Sequence, residues 1–364
     1  MELSIKTSEL QSMVGKAIKC VSNNKLIPLT SLMNIKVSNN ILTITTTDAT
    51  NYFYVSKSDK VACEDFEVSV MADLFTKLVQ KTTSDCITLK VEGSVMTVSG
   101  NGTYTMELPL DENGRVIKFP NKISYEGRTD VEGIKLSTVK TIISVNKASL
   151  ADNMEAPILT CYYCGDSVIT SDKKKICKTD IKMFSKPMVL TPTMMELLAC
   201  LDCEDIKVST TESDVLFRTD TEIIYAPVVE GVETFPVAAI NSLVDRAFVS
   251  KCKVSRSSVM NLLDRLSLFV VPYDKQGIYL TFNNEGILFS SKKSNGQELI
   301  PYIASENFAP YTCCINIEML RSQIASQDAD TIELYYGSDV AIKMVNNNIT
   351  QLVALLVDDR LEEA

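Results

Sequence analysis

The sequence contains no histidine. That removes Ser-His-Asp triads, histidine metal sites and imidazole acid–base chemistry together. Glycine is sparse, at 13 in 364 residues, and forms no Gly-rich phosphate loop and no Gly-x-Ser-x-Gly elbow; an Asp-rich metal loop is also missing. No apolar run approaches the roughly 18 residues that a membrane-crossing helix needs. The opening, Met1-Glu2-Leu3-Ser4-Ile5-Lys6, reads as a mixed polar strand rather than the apolar core of a secretion signal. Positive charge is short as well: 36 Lys and Arg against 46 Asp and Glu give a formal −10. Such a chain cannot coat nucleic acid by bulk attraction, although a local basic surface stays possible. From these absences an enzyme is not expected and no cofactor is implied. The expected setting is the cytoplasm, with no membrane partner and with the eleven cysteines mostly reduced.

What is present is a repeat. Segments starting at Met71, Thr191 and Asn316 each read as a short amphipathic helix, a strand, a polar turn and a second strand. Their starts lie 120 and 125 residues apart. A second helix-and-strands element recurs in step near Ser8, Leu136 and Ser255. The chain therefore divides into three units, 1–125, 126–246 and 247–364, each of two such halves. Boundaries are expected in the polar stretches Tyr125–Thr129 and Asn241–Phe248.

Period sets the element types. Leu10, Met13, Val14, Ala17, Ile18 and Val21 form one apolar stripe at helical spacing. Thr191-Pro192 and Asn316 are helix-start signals. Strand candidates with period two are joined by turn formers such as Asn39-Asn40 and Glu92-Gly93. Hairpins of this kind give antiparallel sheets with one face covered by helices, so the expected class is α+β.

Charge is uneven. The six helix windows, 7–22, 71–82, 135–150, 191–202, 253–268 and 316–327, hold 11 Lys and Arg against 6 Asp and Glu. They carry a net +5 and leave −15 on everything else. Lys16 with Lys19, Lys77 with Lys81, and Lys140 with Lys147 sit opposite the apolar stripes, although the fourth and sixth windows lack the bias. Any one pair reads more simply as an ordinary solvated helix face; for the bias across the repeats the two readings stand level.

Two cysteine pairs, Cys161/Cys164 and Cys200/Cys203, have the spacing of a zinc site. The long gap between them and the placement of the first pair on a strand, where i and i+3 face opposite ways, favour ordinary packing and no metal. Asp358-Asp359 and Glu362-Glu363 read as solvated charge in a terminal tail.

Taken together, the repeat, the length and three local segments resemble the bacterial DNA polymerase III beta-subunit sliding clamp. The segments are Ile27–Thr50, Val168–Ile176 and Gly231–Ile240, and the likeness covers nearly the whole chain. The resemblance implies a head-to-tail homodimeric ring, helices inside and sheets outside, around double-stranded DNA bound without sequence preference. A mildly positive lining within an acidic shell suits a clamp held by topology, because each neutralised phosphate would add affinity and slow sliding. Lys16, Lys19, Lys25, Lys77, Lys81, Lys140, Lys147, Lys253 and Arg256 are the implied DNA contacts.

The family's partners, the replicative DNA polymerase and the clamp loader, dock through short peptides in an apolar pocket. The matching positions are Ile158, Ser171, Lys174, Lys175, Ile176, Pro236, Ile240, Asn316, Met319, Val353, Ala354 and Leu355. Here Lys173-Lys174-Lys175 replaces the family's Gly-His-Arg, and the C-terminal run is altered and longer. Basic Lys174 or Lys175 would favour an acidic peptide flank. Thr105, Phe269 and Val270 match the ring junction. A clamp-fold adaptor with a different client, no longer a polymerase processivity factor, is the alternative.

Overall fold

The computed structural model describes residues 1–152, 156–271, 275–293 and 295–357. The acidic pairs Asp358-Asp359 and Glu362-Glu363 lie outside the described residues. Among those described there are seven α-helices: α1 Thr7–Ala17, α2 Ala72–Lys81, α3 Leu136–Asn146, α4 Pro192–Leu198, α5 Val237–Val244, α6 Arg256–Leu266 and α7 Ile317–Ala325. Strands between them pair antiparallel throughout, as the alternating hairpin segments require. The fold is α+β.

The chain forms two compact units. The first comprises residues 1–139 and 193–228, and the second 140–192 and 229–364. Residues 126–246 are thus shared between them. In the first unit a four-stranded sheet starts with Glu2–Lys6 and ends on the edge strand Thr103–Glu107, and an eight-stranded sheet lies beside it in the chain. That larger sheet is continuous because Tyr52–Ser56 pairs with Glu222–Pro227, in register Tyr52 opposite Tyr225. A nine-stranded sheet in the second unit is joined the same way, by Lys175–Thr179 against Ile349–Ala354. Each join covers strand edges that would otherwise present unpaired N–H and C=O groups.

Local chemistry accounts for the elements. In Cys86–Glu92, Ile87, Leu89 and Val91 are buried while their neighbours face out, the period-two pattern of a half-buried strand. Asn39 and Asn40 both take positive φ, at 52° and 65°, the geometry of a two-residue primed turn. A Cβ at Gly286 would lie 2.1 Å from the Ile300 carbonyl oxygen on the neighbouring strand, so only glycine fits. The side chain of Asn316 caps α7 by accepting from the Met319 N–H at 2.9 Å, and α4 opens on Pro192.

Two sequence expectations are revised here. The first helical stripe ends early: α1 stops at Ala17, a single 3-10 turn follows, and Cys20 rather than Val21 occupies the buried position. The stretch expected as a polar boundary, Asn241–Phe248, begins inside α5, whose Ile240 and Val244 are buried. That helix is short and follows Pro236, so its apolar period spans too few residues to stand out.

Candidate functional site

Two pairs of helices meet, α1 with α2 and α6 with α7. Gln11 on α1 donates to the carbonyls of Val79 and Thr82 around the end of α2, at 3.1 and 2.9 Å, and Gln80 donates back to the Gln11 carbonyl at 2.8 Å. In the second unit Arg256, opening α6, donates to the carbonyls of Ile324 and Ala325 on α7, both at 3.0 Å. Arg321 of α7 pairs with Asp264 of α6 at 2.7 Å. These polar clasps orient the helices while their apolar faces cover the sheets.

The expected DNA-contact cations separate into two groups. Lys19, Lys25, Lys81, Lys140 and Lys147 are exposed, with Lys19 and Lys147 on 3-10 turns just past α1 and α3. Lys77 is exposed but shares an i,i+4 ion pair with Asp73 at 2.6 Å. Lys16, Lys253 and Arg256 stand in other settings. Lys16 donates to Asp202 and, at 2.6 Å, to Glu222, whose side chain is 1% exposed. Burial opposes the charge on Lys16, yet these hydrogen bonds outweigh it and raise its pKa. It is the counter-ion of a buried carboxylate, not a cation held out to a ligand. Lys253 does not lie on a helix, as expected, but within the strand Ser250–Ser255. Arg256 spends its guanidinium on the end of α7, as described above.

The apolar positions fall into two clusters of the second unit. Ile176 and Ile240 are buried with Leu159, Ile169, Phe235, Val244, Ala341 and Leu352, and Ile158 packs half-buried against them. Tyr163 and Phe235 contribute rings 5.2 Å apart. Pro236 is exposed at the start of α5. Val353 belongs instead to the neighbouring core, on which Met319 and Leu355 pack, and Asn316 is occupied as the α7 cap and as a donor to the Lys275 carbonyl at 2.7 Å. The clusters adjoin through the sheet: Ile176 lies opposite Leu352 and Lys175 opposite Val353. Ala354 donates its N–H to the Lys174 carbonyl, and Leu355 donates to that of Val340.

Sequence reasoning missed α5 as the wall of this cluster. It also missed Lys343, whose ammonium lies 4.7 Å from the Phe248 ring and donates to the Val244 carbonyl at the end of α5. Desolvation by burial lowers the Lys343 pKa. Ser171 is buried, and its hydroxyl accepts from the Lys173 N–H. Lys175 is not available to a peptide flank: its ammonium donates to the Ala148 carbonyl at 2.5 Å and pairs with Asp172 at 3.4 Å. Lys173 and Lys174 remain exposed at the turn.

At the expected junction Thr105 is exposed on the edge strand, and Phe269 is 48% exposed beside Leu268 at 81%. Val270 is half-buried against the core of the third repeat. Cys161 and Cys164 are buried, and burial pushes both thiols up, which keeps them protonated. Among the described residues no group of three or more potential ligands could hold a metal ion. No described helix is long and apolar enough to cross a membrane.

Antiparallel sheets faced by helices recur along the chain. Comparison with known proteins agrees. Residues 1–113 match the family DNA polymerase III beta subunit, N-terminal domain. No curated protein sequence matches the chain. The DNA polymerase sliding clamp from Bacillus subtilis superposes with a TM-score of 0.85 at 16% identity, over 98% of this chain and 99% of that one. The beta subunit from DNA polymerase of Streptococcus pyogenes gives 0.86 at 16%, over 98% and 100%. For the DNA polymerase III beta subunit from Thermotoga maritima the values are 0.84, 15%, 98% and 99%. The chain thus has the sliding-clamp fold over its full described length, and its first 113 residues carry the beta-subunit family pattern.

Proposed function

We propose that this protein is a DNA sliding clamp: two copies close head to tail around duplex DNA and tether a replicative polymerase for processive synthesis. The observation that supports this reading is the coextensive likeness to beta clamps, together with the family match of the first 113 residues. Three repeats, 1–125, 126–246 and 247–364, supply the ring segments. The role needs no catalysis. Lys19, Lys25, Lys81, Lys140 and Lys147 are the DNA-facing cations, few enough for weak, sequence-blind attraction and easy sliding. Thr105 and Phe269 form part of the contact between copies, where an exposed aromatic ring at a helix end gains a partner. The apolar cluster walled by α5 receives the peptides of the polymerase and the clamp loader.

Loading tests it. A clamp loader should place the protein on a nicked circular duplex, and linearising the circle should release it. Retention on linear DNA with free ends, or failure of the protein to dimerise by native mass measurement, would overturn the reading.

A further inference from the structure

The apolar cluster of the second unit has a rim whose charge opposes that of the molecule as a whole. The turn Ser171–Lys175 joins two strands of the nine-stranded sheet and carries three consecutive lysines. The structure distinguishes them. Lys175 is folded inward onto the Ala148 carbonyl and Asp172. The Asp172 carboxylate, which could have neutralised the turn, also accepts the N–H groups of Lys174 and Lys175, at 2.9 and 2.6 Å. Lys173 takes a left-handed conformation, with φ of 73°, which lets the turn close with its side chain exposed next to that of Lys174. Two adjacent ammonium groups are thereby held at the surface in a protein of net charge −10.

Their position relative to the cluster is set by the sheet. Ile176, two residues beyond Lys174, is in the cluster, and the Lys174 carbonyl receives the N–H of Ala354. Ala354 in turn lies opposite Ala341, another member of the cluster. The cations therefore stand at one end of the cluster, on whose buried core Ile158, Tyr163, Val237 and Leu243 pack half-buried.

We propose that Lys173 and Lys174 select peptides that carry acidic residues beside their apolar anchors. This deepens the clamp reading and rests on its assignment of the α5 cluster as the peptide site. The occupant is a short segment of a partner protein whose apolar side chains pack on the half-buried Ile158, Tyr163, Val237 and Leu243 of the cluster while a flanking carboxylate pair meets the two ammonium groups. Charge complementarity gives discrimination between partners more than raw affinity. The contacts are solvent-exposed, so the preference is modest and salt-sensitive.

The test uses the full chain and two synthetic fluorescent peptides, titrated by anisotropy. Both carry the same adjacent pair of leucines; one is flanked by Asp-Glu and the other by Ser-Gly. At low salt the acidic-flanked peptide is expected to bind roughly three- to tenfold tighter than the neutral one, with the difference vanishing near about 0.5 M salt. In Lys173→Asn/Lys174→Ala the preference should disappear, the two peptides binding with equal affinity. Asparagine tolerates the left-handed conformation at 173, so the turn is preserved. Equal affinities in the unmodified protein, or a preference that survives in the variant, would overturn the selectivity while leaving the peptide site standing. Failure of both peptides to bind, with Ile240→Asp making no difference, would overturn the site and the selectivity together.

Discussion

Replacing Lys16 by methionine keeps the length of the side chain and removes its charge. Glu222 would then be left 1% exposed, with its remaining partners the Asp202 N–H at 3.2 Å and the Thr219 hydroxyl at 3.1 Å. Removing one member of a fully buried ion pair costs about 3–5 kcal/mol. Lys16 is 18% exposed and Asp202 is open to water, so solvent can reach part of the site, and about 2 kcal/mol is the appropriate scale. For a unit of this size that corresponds to a fall of roughly 4–8 °C in melting temperature. Calorimetry of Lys16→Met, Glu222→Gln and the double variant would measure it. The double variant should recover more than half of the single loss, because the buried charge is gone with its partner. A Lys16→Met protein that melts within about a degree of the unmodified chain, or strictly additive effects, would refute the reasoning.

Other outcomes follow from the same geometry. Lys16→Met should leave the salt dependence of DNA association unchanged, whereas Lys81→Ala should reduce the slope of log K against log salt by up to about 0.9. If the proposed ring forms, Phe269→Glu should yield a species of half the mass of the unmodified protein's on native mass measurement. Gly286→Ala should cost about 1–3 kcal/mol in chemical denaturation, because the added methyl meets the Ile300 carbonyl oxygen and the strands must part. Burial pushes the Cys20 thiol up to about 12, so a chromogenic disulfide reagent at pH 8 should modify exposed Cys86 and Cys203 quickly and Cys20 only on unfolding. A folded-state thiol pKa raised above its ordinary 9.0 means that the unfolded chain loses its proton first. That contribution to stability should therefore decline as pH rises from about 9 to about 12.

Much of the architecture can be read from spacing alone. The stripe through Leu10, Met13, Val14 and Ala17, the Asn39-Asn40 turn and the capping Asn316 all depend on neighbours within a few residues, and they appear where their patterns place them. Charge is less legible. Lys16 looks like a polar-face cation, but the carboxylates that neutralise it lie 186 and 206 residues further along the chain. Lys175 is likewise captured by Ala148, 27 residues earlier. At Lys253 a strand runs directly into α6 at Ser255, and the alternation of Cys252 and Val254 with Lys251 and Lys253 marks it as a strand residue, a short signal easily absorbed into the longer helical period that follows. For α5, eight residues after a proline give barely two turns, too little period to separate a helix from a polar linker.

The repeats visible in sequence and the units that hold together are different divisions of one chain. Excising residues 126–246 as a cassette would sever two continuous sheets, stripping Tyr52–Ser56 of Glu222–Pro227 and Ile349–Ala354 of Lys175–Thr179. Both wounds would expose raw strand edges, which invite aggregation. A protein engineer wishing to shuffle segments between proteins of this fold should therefore keep each of these two sheets whole.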